Sequence, residues 1–254
     1  MKFISFFFIY FLYGIILNCQ EVSMFRFEKK YILNNLQVEQ LKHRLSPIMK
    51  LDPILSGKEF YSIRSLYFDD YKDTCLKQVI NGISERYKYR IRFYNGNTDY
   101  IVLEKKYKIN NMTKKISCEI TKEIVDGILK GNFVINKDND KLLNEFYLMI
   151  RTRGFRPVVI IDYDRIPYVY DAGCVRITLD NNLSCSYDFD KLFSDDILRI
   201  PLMEEGSTIL EVKYNDFIPD YIRFSLQLDG LYRTSYSKYG NGRLAIKNYV
   251  GGSL

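Results

Sequence analysis

Three cations alternate with three apolar or aromatic residues along Lys88-Tyr89-Arg90-Ile91-Arg92-Phe93. Successive side chains of a strand point to opposite faces, so this stretch reads as a strand with one cationic face and one apolar face. The division recurs through the chain. Arg26, Glu28 and Lys30 share a face, as do Glu104, Lys106 and Lys108, Tyr163 and Arg165, Arg176, Thr178 and Asp180, and Glu211 and Lys213. The opposite faces carry Phe25 and Phe27, Ile101 and Leu103, Val158 and Ile160, Val175, Ile177 and Leu179, and Leu210 and Val212. A single polar strand face is ordinarily just solvated. Repetition in strand after strand implies that the apolar faces pack outward under helices while the charged faces turn inward around a common bore. Residues two apart stand roughly 6.6 Å from each other along a strand, so each strand offers a ladder of cations. Without a ligand such cations repel one another and lose hydration, which implies a polyanion inside. Arginine suits phosphate through its bidentate fork and lysine as a point charge.

Strands are expected over residues 25–33, 61–69, 86–94, 99–108, 112–120, 157–169, 174–180, 183–187 and 208–214. Helices are expected over 36–45, 72–79, 122–130, 141–151 and 218–228. Asn95-Gly96-Asn97 and Asn110-Asn111 are hairpin signals. The pattern predicts an α+β fold, a closed antiparallel β-barrel of about eight strands with helices packed on the outside. No repeat or linker divides residues 24–254, which form one domain.

Residues 1–23 stand apart. Phe3 to Cys19 is an uncharged apolar run of 17 residues, at the lower edge of what spans a bilayer. It reads as a signal peptide, an uncleaved anchor, or a stretch upstream of a start at Met24. As an anchor it has only Lys2 before it and Arg26, Lys29 and Lys30 after it, which keeps the body in the cytoplasm. A cytoplasmic location is expected, with attachment to the cytoplasmic face of a membrane through residues 3–19 as one reading. The five cysteines lack any Cys-x-x-Cys pair, and His43 is the one histidine, in an amphipathic helical run. Zinc knuckles, disulfide frameworks, serine-type triads and multi-histidine metal sites have little to be built from.

Glu28, Glu104, Asp180 and Glu211 lie on the basic faces. Carboxylates beside phosphates are how a protein holds Mg²⁺ or Mn²⁺ with few ligands of its own. Salt bridging is an equal alternative for Glu28 and Glu104, while Glu211 is favoured as a metal ligand.

Arg26-Phe-Glu28-Lys-Lys30-Tyr31, Ser65-Leu-Tyr67-Phe-Asp69, Lys88-Tyr-Arg90-Ile-Arg92, Leu103-Glu104-Lys-Lys106, Tyr163-Asp-Arg165, Val175-Arg176-Ile-Thr-Leu-Asp180, Leu210-Glu211-Val-Lys213-Tyr214 and Ser235-Tyr-Ser237-Lys238-Tyr239 follow one another in order. Together they resemble the VTC domain, the polyphosphate polymerase domain of the vacuolar transporter chaperone complex, within the CYTH-like triphosphate tunnel metalloenzymes. The resemblance runs from about residue 24 to 247. It implies that the terminal phosphate of ATP is added to an inorganic polyphosphate chain inside the tunnel, with Mn²⁺ or Mg²⁺ as cofactor. Arg90, Arg92, Lys106, Arg165 and Lys238 would be catalytic. Arg26, Lys30, Lys88, Tyr163, Arg176, Lys213 and Ser237 would bind substrate, together with Lys114 or Lys115. Glu211, with Glu28 and Glu104, would hold the metal. Outward apolar parity at Ile116, Cys118 and Ile120 favours Lys115 as the inward residue; motif spacing favours Lys114.

Hydrolase relatives begin Glu-x-Glu-x-Lys, whereas this chain has Arg26 at the first acid, which leans towards polymerase. A tunnel-fold triphosphatase and a non-catalytic polyphosphate-binding module are the alternatives. No SPX-like helices or multi-helix membrane bundle flank the match, so neither control by inositol pyrophosphates nor product transport is implied. Nucleic acid is not an expected partner, because a duplex cannot enter a barrel interior.

Overall fold

A computed structural model describes residues 25–251. Ten strands form one antiparallel sheet: β1 (Arg26–Leu33), β2 (Lys50–Leu51), β3 (Tyr61–Asp69), β4 (Glu85–Tyr94), β5 (Asn97–Ile109), β6 (Met112–Ile120), β7 (Arg156–Tyr170), β8 (Val175–Ser186), β9 (Ile200–Pro201) and β10 (Thr208–Tyr214). The order β7-β3-β4-β5-β6-β1-β10-β8 closes on itself through β7–β8 pairing. The result is the expected eight-stranded barrel, with the two-residue strands β2 and β9 appended to β7 and β8. The chain turns between β4 and β5 at Asn95 and Gly96, both with positive φ, as the two-residue hairpin turn requires.

Among the described residues six α-helices accompany the sheet: α1 (Asn35–Leu45), α2 (Thr74–Ile80), α3 (Lys122–Leu129), α4 (Lys141–Arg153), α5 (Asp220–Ser225) and α6 (Lys238–Val250). Two apolar clusters join them to the outer strand faces. Val125 and Ile128 of α3 and Leu142, Leu143 and Phe146 of α4 pack in one cluster with Tyr89, Ile91, Ile101 and Leu103. Val38, Leu41 and Leu45 of α1 and Ile222 of α5 pack in the other with Val175, Ile177, Leu179, Leu210 and Val212. These are the faces that the alternation assigned to the outside, and burying them frees the opposite faces for charge. Only Phe27 of that set is exposed, stacked on Tyr214.

Helix α6 behaves differently and has no counterpart among the expected helices. It lies against the inner face of β7 and β8, so close that a Cβ at Gly242 would collide with Ile161 and press on Val159. Both share the parity of Tyr163 and Arg165. The helix is tied down by Tyr239, whose hydroxyl donates to buried Asp69 at 2.6 Å, and by Arg243 and Lys247, which hold Asp73 at 2.6 and 2.8 Å. A further difference concerns residues 174–187. Two strands are expected over 174–180 and 183–187, but β8 runs through Asn181 and Asn182 as one strand, with Asn182 at φ 51° absorbing a bulge against Asp162 and Asp164. Helix α5 is shorter than the expected 218–228 because Pro219 starts it.

Among the described residues Cys75, Cys118 and Cys185 are buried free thiols. Among the described residues no helix is long and apolar enough to cross a membrane. The readings of residues 1–23 lie outside the described residues.

Candidate functional site: a cation-lined bore

The inner faces enclose a cavity of about 500 Å³ whose wall carries eleven basic side chains and only two carboxylates, Glu28 and Glu211. Register orders them by depth. Arg86 pairs with Lys108 and Lys108 with Thr113 near one end; Lys88, Lys106 and Lys115 form the next row, and Arg90 and Glu104 the one after. Arg92 is deepest on β4, its guanidinium donating to Ser65 Oγ at 3.0 Å and to the Tyr163 hydroxyl at 2.9 Å. Arg90 donates to Glu104 and, at 3.0 Å, to the Tyr67 hydroxyl. Across the bore Arg165 makes a two-pronged contact with Asp180 at 2.6 and 2.7 Å. Lys238, the first residue of α6, reaches the same carboxylate at 2.6 Å.

Midway, Glu28 meets Lys106 at 2.7 Å and Lys30 at 3.4 Å. Glu211 meets Lys213 at 2.6 Å and the same Lys30 at 3.4 Å. Burial pushes both carboxyls upward, and Glu211 raises Glu28 further, yet the surrounding lysines outweigh this: Lys106, Lys30 and Lys213 hold Glu28 well below the usual carboxylate range, and Lys213, Lys30, Lys106 and Lys238 do the same for Glu211. Both are ionised. The cations divide. Burial lowers Lys30, but Glu28, Glu211 and Asp180 more than restore it. Burial depresses Lys88 well below its ordinary value, reinforced by Lys106, Lys30 and Arg86. Burial also brings Lys213 down to about 8 despite Glu211 and Glu28, and depresses Lys238.

Two consequences carry opposite signs. For a lysine with a depressed folded-state pKa, the unfolded chain binds more protons between that value and about 10.4, so stability rises with pH in that window. The lysines therefore contribute stability that grows as pH rises above about 8, opposed by the thiols of Cys75, Cys118 and Cys185, which burial pushes up and whose contribution falls as pH passes the unfolded thiol range. A polyanion restores the charge, so binding of tripolyphosphate should take up protons and weaken as pH rises above 8. Calorimetry in buffers of different ionisation enthalpy measures that uptake. Zero uptake at pH 8.5 would contradict the neutral lysines.

The cavity brings together Glu28, Lys30, Lys88, Arg90, Arg92, Lys106, Tyr163, Arg165, Glu211, Lys213, Ser237 and Lys238 from the expected set. Lys88 donates to Ser237 Oγ at 3.3 Å and sits 4.8 Å above the Tyr239 ring. Five expected residues are placed otherwise. Lys114 is a correction: it pairs with Tyr107 on the outer face, its ammonium 6.0 Å from the Phe25 ring, because the Asn110-Asn111 turn sets Lys115 opposite Lys106. Lys115 does face inward, held by Glu104 at 3.1 Å. Glu104 is 1% exposed with both oxygens engaged by cations, so the salt-bridge alternative describes it and it does not line the cavity. Arg26 donates to the Cys174 carbonyl. Arg176 joins Asp52 at 3.0 Å and Tyr61 at 3.4 Å, outside the cavity wall.

The expected set omitted Tyr67, Arg86, Lys108, Arg233, Tyr236 and Tyr239, all of which line the cavity. Arg86 and Lys108 continue alternating runs, a signal available in the sequence. Arg233 and Tyr236 lie in an irregular segment with no period to follow.

A model of the VTC domain matches residues 25–247. The chain belongs to the VTC domain family. Its closed eight-stranded barrel is the architecture that the resemblance implied. Among solved structures, a candidate adenylate cyclase from Bacillus halodurans is 13% identical, covering 80% of this chain and 86% of that one, with a TM-score of 0.44. The PH1012 protein of Pyrococcus horikoshii is 11% identical over 90% of this chain and 91% of its own, TM-score 0.40. The Mimivirus capping enzyme triphosphatase is 11% identical over 85% and 96%, TM-score 0.35. No curated protein matches the sequence at a significant level.

The resemblance implies a divalent cation, and the wall of this VTC domain has donors that suit one. Glu28 and Glu211 are ionised hard-oxygen donors flanking Lys30, and the buried Thr178 hydroxyl, in register with Glu211 on the next strand, has no hydrogen-bond partner among the described residues. Among the described residues no group of three His, Cys, Asp or Glu could hold a metal by itself. Two carboxylates completed by phosphate oxygens match the usual protein share of a Mg²⁺ site.

Proposed function

We propose that this VTC domain is a polyphosphate polymerase that transfers the terminal phosphate of ATP to a growing inorganic polyphosphate chain inside the bore. One observation carries the reading: eleven basic groups face two carboxylates on the inner wall of a closed barrel. Such a surplus is relieved only by a polyanion, and a closed bore admits a linear one.

Transfer needs alignment and charge neutralisation more than covalent chemistry. A terminal phosphate oxygen of the chain attacks the γ-phosphorus of ATP, the bond from that phosphorus to the β–γ bridging oxygen breaks, and ADP departs with its electron pair. The nucleophile is already anionic, so no general base is required. Arg90, Arg92, Arg165 and Lys238 are preorganised by Glu104, Ser65, Tyr163 and Asp180, and act on the equatorial oxygens without first having to be ordered. Lys30, Lys88, Lys106 and Lys213 hold the remaining phosphates. Mn²⁺ or Mg²⁺, held by Glu28 and Glu211, would supply Lewis-acid neutralisation of the triphosphate.

A tunnel triphosphatase is the second reading, since the same wall would hold a triphosphate for water to attack. Against it stands the poverty of acids at the cavity. Arg26 replaces one carboxylate, and Glu104 is locked to Arg90 and Lys115.

Incubating the full chain with ATP and Mn²⁺ and sizing the products on a gel decides between them. A polydisperse ladder, lost in Arg90→Ala, is the expected result. Orthophosphate alone would assign the triphosphatase. Polyphosphate binding with neither product would leave a non-catalytic module.

A further inference from the structure

Arg86, Lys108 and Arg233 form a ring at one end of the bore that differs from most of the cations deeper in it. Arg86 and Lys108 are direct cross-strand neighbours on β4 and β5. Arg233 arrives from the irregular segment before α6, which bridges to Tyr31 and donates Thr234 N–H to the Lys30 carbonyl at 2.8 Å. Its guanidinium donates to Asn111 Oδ1 at 3.2 Å, in the turn that joins β5 to β6. All three groups line the cavity. Six of the eight deeper cations have carboxylate partners: Arg90 has Glu104, Arg165 and Lys238 have Asp180, and Lys30, Lys106 and Lys213 have Glu28 or Glu211; Lys88 and Arg92 are held instead by the hydroxyls of Ser237, Ser65 and Tyr163. The ring has no carboxylate partner. Arg86 spends a donor on the Ile83 carbonyl and Arg233 one on an amide, so among the described residues no carboxylate stands at ion-pair distance from any of the three.

Distance separates the ring from the deep cations. Arg86 lies four residues from Arg90 and six from Arg92 on one strand, about 14 and 20 Å at the ordinary rise. A triphosphate gripped by Arg90, Arg92, Arg165 and Lys238 is too short to reach the ring, and a longer chain of the same phosphates passes through it.

From this juxtaposition we infer that Arg86, Lys108 and Arg233 form a separate subsite for linear polyphosphate longer than a triphosphate, where the chain is held at the mouth during elongation. The inference rests on the polyphosphate reading above and deepens it. In this role the ring selects for chain length: it adds affinity for long chains and little for tripolyphosphate, and it slows escape of a growing product.

The test is a binding comparison on the full chain, with tripolyphosphate and a long-chain polyphosphate as probes. In Arg86→Gln/Arg233→Gln, affinity for the long chain should fall by tenfold or more, against threefold or less for tripolyphosphate. The dependence of long-chain affinity on salt should flatten by about one unit of log–log slope for each cation removed. Arg233→Lys should recover most of the lost affinity, and an unchanged melting temperature in the double variant excludes misfolding. Equal losses for both probes would overturn the inference, as would undiminished long-chain binding. Binding needs no turnover, so the two readings fail separately. Length-selective binding without a product ladder would remove the polymerase and leave the subsite. A ladder with no change in length selectivity would remove the subsite alone.

Discussion

Glu211→Gln is expected to lower the rate of polyphosphate synthesis by about a thousandfold, roughly 4 kcal/mol of transition-state stabilisation, while leaving tripolyphosphate binding in the absence of metal as tight as before or tighter. The two halves follow from one fact. Glu211 is an ionised carboxylate in a wall of cations, held at 2.6 Å from Lys213 and 3.4 Å from Lys30. If its task is to hold a divalent cation against the triphosphate, an amide of the same shape removes an anionic ligand and the chemistry suffers. If its task were only to neutralise lysines, an amide would leave the bore one charge more positive and a polyanion would bind better. A rate that collapses while metal-free affinity holds or rises separates the two. Parallel loss of both would mean that Glu211 merely props the wall, and the proposed metal site would fall. Initial rates of product formation and metal-free calorimetric titration supply the two numbers.

What could be foreseen from the sequence, and what could not, divides along a physical line. A strand buried on one face and charged on the other writes its period directly into the chain, and β1, β3, β4, β5, β6, β7 and β10 stand close to where alternation puts them. The inward set Lys88, Arg90, Arg92 follows from parity alone. Lys115 follows once the two-residue turn fixes Met112 opposite Ile109. Helix α6 left no such trace. Its buried side is Lys238, Tyr239, Gly240, Gly242 and Arg243, because Lys238 and Arg243 meet the acids Asp180 and Asp73 there and glycine is needed to approach Val159 and Ile161. An apolar stripe, the feature that betrays most surface helices, is what this position excludes. Pairing is the other hidden layer. Glu28 and Glu104 occupy equivalent places in their motifs, yet one lines the cavity and the other is sealed between Arg90 and Lys115, a difference set by neighbours on other strands.

The same argument makes Asp180 the most sensitive structural position in the bore. Its carboxylate is 0% exposed and serves two buried cations on different elements, Arg165 of β7 and Lys238 of α6. Asp180→Ala leaves both without a counter-charge in a low-dielectric wall already rich in positive charge. Breaking a buried pair in this way costs about 3–5 kcal/mol, a large part of the stability of an ordinary domain. A fall in melting temperature of about 10 °C or more is expected, and tripolyphosphate should recover much of it by supplying the missing negative charge to the same two groups. The acid limb gives an independent check. Burial raises the Asp180 carboxyl, but Arg165 and Lys238 overcome this and hold it below the ordinary range. Its contribution is then complete above an unfolded-state value of about 4 and is lost as pH falls below that. The parent protein should lose stability on acidification below about pH 4 more steeply than the variant does. A variant that melts within a degree or two of the parent, with the same acid limb and no response to tripolyphosphate, would mean that Arg165 and Lys238 are solvated in solution, and the preorganised grip proposed for the deep end of the bore would go with that result.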